Sequence, residues 1–226
     1  MEKIVVANWK ANLSPEKVGA WLDEFAGSYR PSASVRVVLA VPFLCMEQVA
    51  AKIASLDQVV IAAQGVSPYP PGSYTGSTPA AWLRGMAAYA LVGHQERRKY
   101  FHEEAQSVAG QVRECVSSGI VPIICLDQES KNSQLAALDS SDLEQAMVAY
   151  TPADAVRLEV PPATADIAGV VAALSVAVNR APVLYGGGVT VDNVVELMGM
   201  DGLAGVMAGR ASLDAGEFAQ LVNKLA

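Results

Sequence analysis

The sequence predicts an α/β chain folded as a parallel eight-stranded (β/α)8 barrel. Eight short apolar runs rich in Val, Ile, Leu and Ala recur along it, helical patterns lie between them, and no linker, low-complexity segment or strong short repeat divides the 226 residues. Runs that are apolar throughout, instead of alternating with polar residues, are those of strands covered on both faces, as in a parallel sheet. A chain of this length can bury one large core, so it reads as a single domain, 1–226. Eight strand–helix units close naturally into a barrel. A doubly wound open sheet is the competing arrangement.

Strands are expected at 4–8, 36–41, 59–64, 89–93, 122–126, 145–150, 183–186 and 205–209. The first helix follows Ser14 as N-cap, with Pro15 at its first position, where a missing N–H costs nothing. Val18, Trp21, Leu22 and Phe25 then recur at i, i+3, i+4, i+7, the spacing of one helical face. Similar patterns occupy 43–55, 79–87, 103–118, 166–178, 192–199 and 214–225, with a short helix at 133–138. The longest irregular stretch is G-V-S-P-Y-P-P-G-S-Y-T-G-S-T (65–78). A loop that long in a compact domain is usually functional or buried in a partner.

Composition excludes several classes. Apolar residues make up 52% and charged ones 17%, too apolar for a disordered chain. A net charge of −7 argues against a nucleic-acid partner, which needs a basic face. It leaves room for a phosphorylated substrate, because a local nest of N–H groups outweighs distant charge. Three cysteines are too few for a disulfide scaffold, which points to a reducing cytoplasm. The N-terminal M-E-K-I-V-V-A-N-W-K lacks the marks of a signal peptide. No apolar stretch reaches membrane-spanning length, so no membrane partner is expected.

In a parallel barrel, chemistry belongs where strands run into the loops that follow them. Polar residues gather there: Asn8 and Lys10 after the first strand, Gln64 after the third, His94 to Arg98 after the fourth. Glycine turns follow the seventh (186–188) and the eighth (Gly209, then Arg210). Taken singly, a lysine after a strand is usually a solvated surface residue, a histidine usually structural and a glycine turn plain punctuation. Together they fall on one rim, and strands seven and eight are where barrels commonly bind phosphate.

The segments A-N-W-K (7–10), A-Q (63–64), G-S-Y-T-G (72–76), V-G-H-Q-E-R-R (92–98), V-P-I-I-C (121–125), V-A-Y-T-P (148–152), L-Y-G-G-G-V (184–189) and G-V-M-A-G-R-A-S-L (205–213) resemble the triosephosphate isomerase family. They occur in the family's order, nearly end to end, and the length is similar to the short archaeal-type members. The resemblance implies a TIM barrel that interconverts dihydroxyacetone phosphate and glyceraldehyde 3-phosphate in glycolysis and gluconeogenesis, with no cofactor and no metal. It implies a neutral His94 that polarises the carbonyl and a Lys10 that supplies positive charge. Asn8 would donate to substrate oxygens, and Glu96 would be a buried acidic partner of Lys10. Arg97 or Arg98 would brace the loop in ion pairs, and backbone N–H groups at Gly187, Gly188, Gly209 and Arg210 would hold the phosphate. The loop 65–78 would interdigitate with a neighbour, Thr75 at its tip, in a homodimer or a tetramer.

The chain departs from the family pattern at the sixth strand. The family reads A-Y-E-P there and this chain reads A-Y-T-P, so Thr151 stands at the position of the catalytic base. A threonine hydroxyl cannot take a carbon-bound proton at neutral pH without strong activation. The lid that follows has Asp154 in place of tryptophan and Arg157-Leu158-Glu159 in place of a Gly-Thr-Gly hinge. Gln95 and Gly188 replace serines, Arg210 a glycine and Ser77 a glutamate. A second alignment makes 155–160 the sixth strand with Glu159 at its end as base, and turns 141–150 into a helix with Ser141 and Glu144 as a capping box. A third has Asp154 or Glu159 reach the site from the lid. The readings in competition are an isomerase, a non-catalytic homologue that binds a phosphate ligand or assembles, and another barrel enzyme acting on a phosphorylated sugar.

Overall fold

The apolar runs pair in the order in which they occur. A computed structural model describes residues 2–158, 163–178 and 181–226. In it β1 (Lys3–Asn8), β2 (Val35–Val41), β3 (Val59–Ala63), β4 (Tyr89–Val92), β5 (Val121–Leu126), β6 (Met147–Tyr150), β7 (Val183–Tyr185) and β8 (Leu203–Ala208) form a closed, all-parallel barrel in sequence order. Each expected strand is present, with ends within two residues. β-Branched side chains favour the pleated, doubly covered surface that such a barrel provides.

Side chains alternate between two cores. Ile4 and Val6 of β1, Met147 and Ala149 of β6, and Leu184 of β7 point into the barrel. Their neighbours Val5, Ala7, Val148 and Tyr185 pack outward beneath the helices. With a period of two, the inward series of β1 continues to Asn8 and that of β6 to Thr151. Both are buried polar residues at the same end of the barrel.

The outer layer holds α1 (Pro15–Ser28), α2 (Met46–Ile53), α3 (Gln95–Phe101), α4 (Ala105–Ser117), α5 (Lys131–Ala137), α6 (Ser140–Leu143), α7 (Ala153–Leu158), α8 (Thr164–Ala177), α9 (Val194–Met198) and α10 (Ala215–Asn223). Val18, Trp21, Leu22 and Phe25 form the buried face of α1, and Pro15 starts it, although the Ser14 side chain makes no capping bond. The helix expected at 79–87 is only a 3-10 turn over Ala80–Leu83. Gly85, at φ +77°, turns the chain away before an α-helix can form. α3, α6 and α7 carry no apolar face strong enough to reveal them in the sequence, and none of the α3 residues is buried.

The second alignment of strand six is overturned. Residues 147–150 pair with Ile123–Leu126 of β5 on one side and with Val183–Tyr185 of β7 on the other. Most of 155–160 is the end of α7, Glu159 lies outside the described residues, and 141–150 holds strand and a one-turn helix whose cap, Asp139, makes no side-chain bond.

The barrel closes where β8 meets β1, with Ile4 opposite Gly205. A Cβ on Gly205 would lie 2.1 Å from the Ile4 carbonyl oxygen and 2.8 Å from Leu184 Cδ2. The register between β7 and β8 also shifts there, so the seam admits only glycine. Gly205→Ala is expected to destabilise the fold by about 2–3 kcal/mol through backbone displacement. A urea unfolding midpoint equal to that of the unchanged protein would contradict this contact.

Candidate active site

The inward series and the loops after the strands enclose a cavity of about 270 Å³ at the C-terminal rim. Asn8, Lys10, His94, Thr151, Gly187, Gly188, Gly209 and Arg210 line it. Eight of the residues singled out from the sequence are thus brought together. Glu96 stands behind Lys10, outside this lining, and Thr75 sits exposed on the loop at 65–78. The sequence reading missed Met207, Thr190 and Glu217, which also face the cavity. Met207 could have been found from the period of two along β8, counted upward from Gly205. Glu217 sits in the first turn of α10, where nothing in the sequence marks it.

Lys10 is held by its backbone. Its φ is +51°, a left-handed conformation that L residues seldom adopt. Its N–H donates to Asn8 Oδ1 at 3.1 Å, and its carbonyl accepts from Gln64 Nε2 at 2.9 Å. Gln64 Nε2 also donates to the Ala40 carbonyl, which ties the end of β1 to those of β2 and β3. The Lys10 ammonium meets Glu96 Oε1 at 2.8 Å. Glu96 is only partly buried, its side chain 38% exposed, which corrects the expectation of a buried acid. A carboxylate needs less desolvation at such a place than in the core.

His94 is buried and is the N-cap of α3. Burial holds its pKa down at about 4. Glu96 opposes that shift, and Lys10, Arg98 and Arg97 add to it. The ring is therefore neutral at pH 7. Nδ1 accepts from the Glu96 N–H at 3.3 Å, so the ring proton sits on Nε2. The 3.5 Å approach of Nδ1 to Glu96 Oε2 is then a contact between two acceptors and not an ion pair.

Both arginines of the segment brace the loop behind His94. Arg98 donates to the carbonyls of Gly93 and Cys125 and pairs with Asp127. Burial would raise the Asp127 carboxyl, but the hydroxyl and N–H of Ser130, with Arg98, hold it below the usual range. Arg97 pairs with Glu103 at 2.6 Å and lies over the Phe101 ring. The turn into His94 favours Gly93, whose φ of +64° is one that L side chains rarely adopt.

Thr151 is 1% exposed. Its hydroxyl donates to the Leu126 carbonyl at 3.2 Å, and its N–H to the same oxygen at 2.7 Å. The hydroxyl proton is thereby committed to the backbone of β5. Next to Thr151, a Cβ on Gly187 would lie 2.9 Å from Ala155 of α7 and 2.9 Å from the Tyr185 hydroxyl, so this turn and α7 are in close contact. Asn193 fixes the turn by donating to the Gly188 carbonyl and accepting from the Thr190 N–H. Among the described residues no cluster of three His, Cys, Asp or Glu could hold a metal ion, and no helix is long and apolar enough to cross a membrane.

Residues 3–225 match the sequence profile described as Triosephosphate isomerase. The chain belongs to the triosephosphate isomerase family. A triosephosphate isomerase of Thermodesulfovibrio yellowstonii is 28% identical over 244 residues, which cover 98% of this chain and 99% of that protein. One of Deinococcus radiodurans is 31% identical over 234 residues, covering 94% and 95%. The crystal structure of triosephosphate isomerase from Bartonella henselae superposes with a TM-score of 0.82 at 26% identity, over 98% of each chain. These matches run nearly end to end in both chains.

The buried His94 sets a pH dependence. The unfolded chain takes up the imidazole proton near pH 6.5 and the folded one near pH 4. Its contribution is therefore complete above pH 6.5 and is lost as pH falls from 6.5 to 4, about 3 kcal/mol in all. His94→Gln is expected to lose less stability than the unchanged protein between pH 7 and pH 4.5, measured by thermal unfolding. Parallel losses in the two proteins would rule this out.

Proposed function

We propose that this chain interconverts dihydroxyacetone phosphate and glyceraldehyde 3-phosphate by proton transfer through an enediolate, at a rate held down by the threonine at position 151. The observation that carries the reading is the placement of a neutral His94 and the Lys10 ammonium on the wall of one cavity together with two glycine turns. As the substrate loses a carbon-bound proton, negative charge grows on its carbonyl oxygen. A fixed ammonium and the Nε2–H of a neutral imidazole stabilise that oxygen without reorganising. A neutral ring is also the weaker acid, better matched to a proton that must be shared and returned. Asn8 adds a donor, and the N–H groups of Gly187, Gly188, Gly209 and Arg210 hold the phosphate.

Thr151 favours a second reading, a non-catalytic homologue that only binds the phosphate ligand, because its hydroxyl proton is already given to Leu126. A coupled assay for triose phosphate turnover separates the two. The unchanged protein is expected to exceed Lys10→Ala. Thr151→Glu is expected to raise kcat by roughly 100-fold or more, the usual contribution of a positioned base. Turnover no higher than that of Lys10→Ala, with no rescue by glutamate, would leave the binding reading.

We place the chain in the cytoplasm as a single domain, in keeping with three buried free cysteines. We also read it as a homodimer or tetramer joined through the loop at 65–78. Phe43, Leu44, Tyr74, Trp82, Tyr100 and Phe101 are exposed in the segments that follow β2, β3 and β4, neighbours around the barrel. Apolar surface gathered on one side of a protein marks an interface. Trp82→Glu is expected to shift the protein toward monomer in light scattering at micromolar concentration. A monomeric unchanged protein would overturn the assembly.

A further inference from the structure

Taking a carbon-bound proton requires an acceptor within hydrogen-bond reach. The polar side chains on the cavity wall near His94 are otherwise engaged. The imidazole carries its proton on Nε2 and accepts from the Glu96 N–H at Nδ1. The Lys10 ammonium answers Glu96 at 2.8 Å. The Thr151 hydroxyl gives its proton to the Leu126 carbonyl. Among the described residues the one carboxylate of the lining is Glu217, which enters from α10, the helix after β8.

Thr151 leaves room for an acceptor from outside. It ends the inward series of β6 and lines the cavity, yet both branches of its side chain turn to the walls. The hydroxyl lies 3.2 Å from the Leu126 carbonyl of β5. The methyl packs against Gly186 after β7, 3.1 Å from where a side chain there would begin. Threonine has no third branch to extend into the cavity. A small anion in front of it shares the cavity with the Lys10 ammonium, and opposite charges attract more strongly in a site partly closed to water. Formate is the carboxylate of an acidic side chain without its stem, so it suits room that a longer side chain would fill.

We infer that the cavity in front of Thr151 is a binding site for a small free carboxylate, of the formate class, which acts as the base that the wall lacks. This rests on the isomerase reading of the cavity and names the co-reactant that the reading needs. One formate oxygen takes the carbon-bound proton of dihydroxyacetone phosphate and becomes formic acid. The C–H electron pair forms the double bond of the enediolate, and the carbonyl electrons move onto the oxygen that His94 and Lys10 stabilise. The formic acid then returns the proton to the neighbouring carbon, while the hydroxyl proton passes between the two oxygens. Glyceraldehyde 3-phosphate forms and formate is regenerated.

The test is triose phosphate turnover in a coupled assay against sodium formate, with sodium chloride holding the ionic strength. Turnover of the unchanged protein is expected to rise about tenfold and saturate, a part of what a tethered base contributes. Sodium chloride alone should not raise it. Thr151→Glu, whose own carboxylate occupies the space, should turn over fast and lose the response to formate. Thr151→Leu should lose the response without gaining rate. Circular dichroism confirms that each variant is folded, and the glutamate variant decides if the leucine one is not. A formate response that persists in Thr151→Glu overturns the site, because the anion then acts elsewhere. Turnover above that of Lys10→Ala with no response to formate overturns it too and leaves the isomerase reading standing, since another group is then the base. An active Thr151→Glu beside an unchanged protein that stays inert in formate has the same meaning for the site. If Thr151→Glu and the formate-supplied protein are both inert, the site and the isomerase reading fall together.

Discussion

Every functional distance in this chain depends on β8 closing against β1 in one register. The strands carry side chains at a period of two, and the inward series of β1 and β6 end on Asn8 and Thr151. A slip of one residue along β1 would turn Ala7 inward and put Asn8 among the helices. Gly205 holds that register, because its backbone lies against Ile4 more closely than any side chain would allow. Outside the seam, Trp9 packs edge-on to Trp21, which stacks on Phe25, and both meet Phe218. Large rings directly after β1 and on α1 and α10 thus clamp the two closing strands from outside.

On this frame, low dielectric organises the site more than charge does. Burial is the largest cause that takes the His94 ring out of the range in which it would ionise; Glu96 pulls the other way, and Lys10, Arg98 and Arg97 add to the effect of burial. The cations around it also serve geometry. Arg98 ties the His94 turn to two carbonyls and to Asp127, so the ring is aimed from behind. Lys10 is aimed through its backbone and steadied by a partly exposed carboxylate. The same site thus holds a braced half that carries His94 and Lys10 and a sixth strand that ends in a hydroxyl already engaged.

The barrel was legible because its strands are doubly covered. A run such as V-R-V-V-L-A-V has no other stable home, and the rim follows from topology once eight strands are counted. What stayed hidden has physical reasons. α3 reads Q-E-R-R-K-Y-F and buries nothing, so it offers no apolar period. The stretch at 79–87 has apolar residues at helical spacing, yet a glycine with positive φ ends it after one turn. The choice between two sixth strands turned on hydrogen bonds to β5 and β7, which involve residues far away in the chain. Glu217 reaches the cavity only because α10 begins beside Gly209, and the commitment of the Thr151 hydroxyl depends on where a carbonyl of β5 points.

The backbone of Lys10 shows what this arrangement costs the fold. A left-handed lysine is less favourable than a right-handed one by about 1–2 kcal/mol, a visible share of the 5–15 kcal/mol that typically separates folded from unfolded chains. A fold under pressure for stability alone would relax that position to glycine or asparagine. Here the strain is held by Asn8 on one side and Gln64 on the other, neither of which any core needs at that place. The end of β1 therefore holds a strained backbone, and that backbone sets the Lys10 side chain on the cavity.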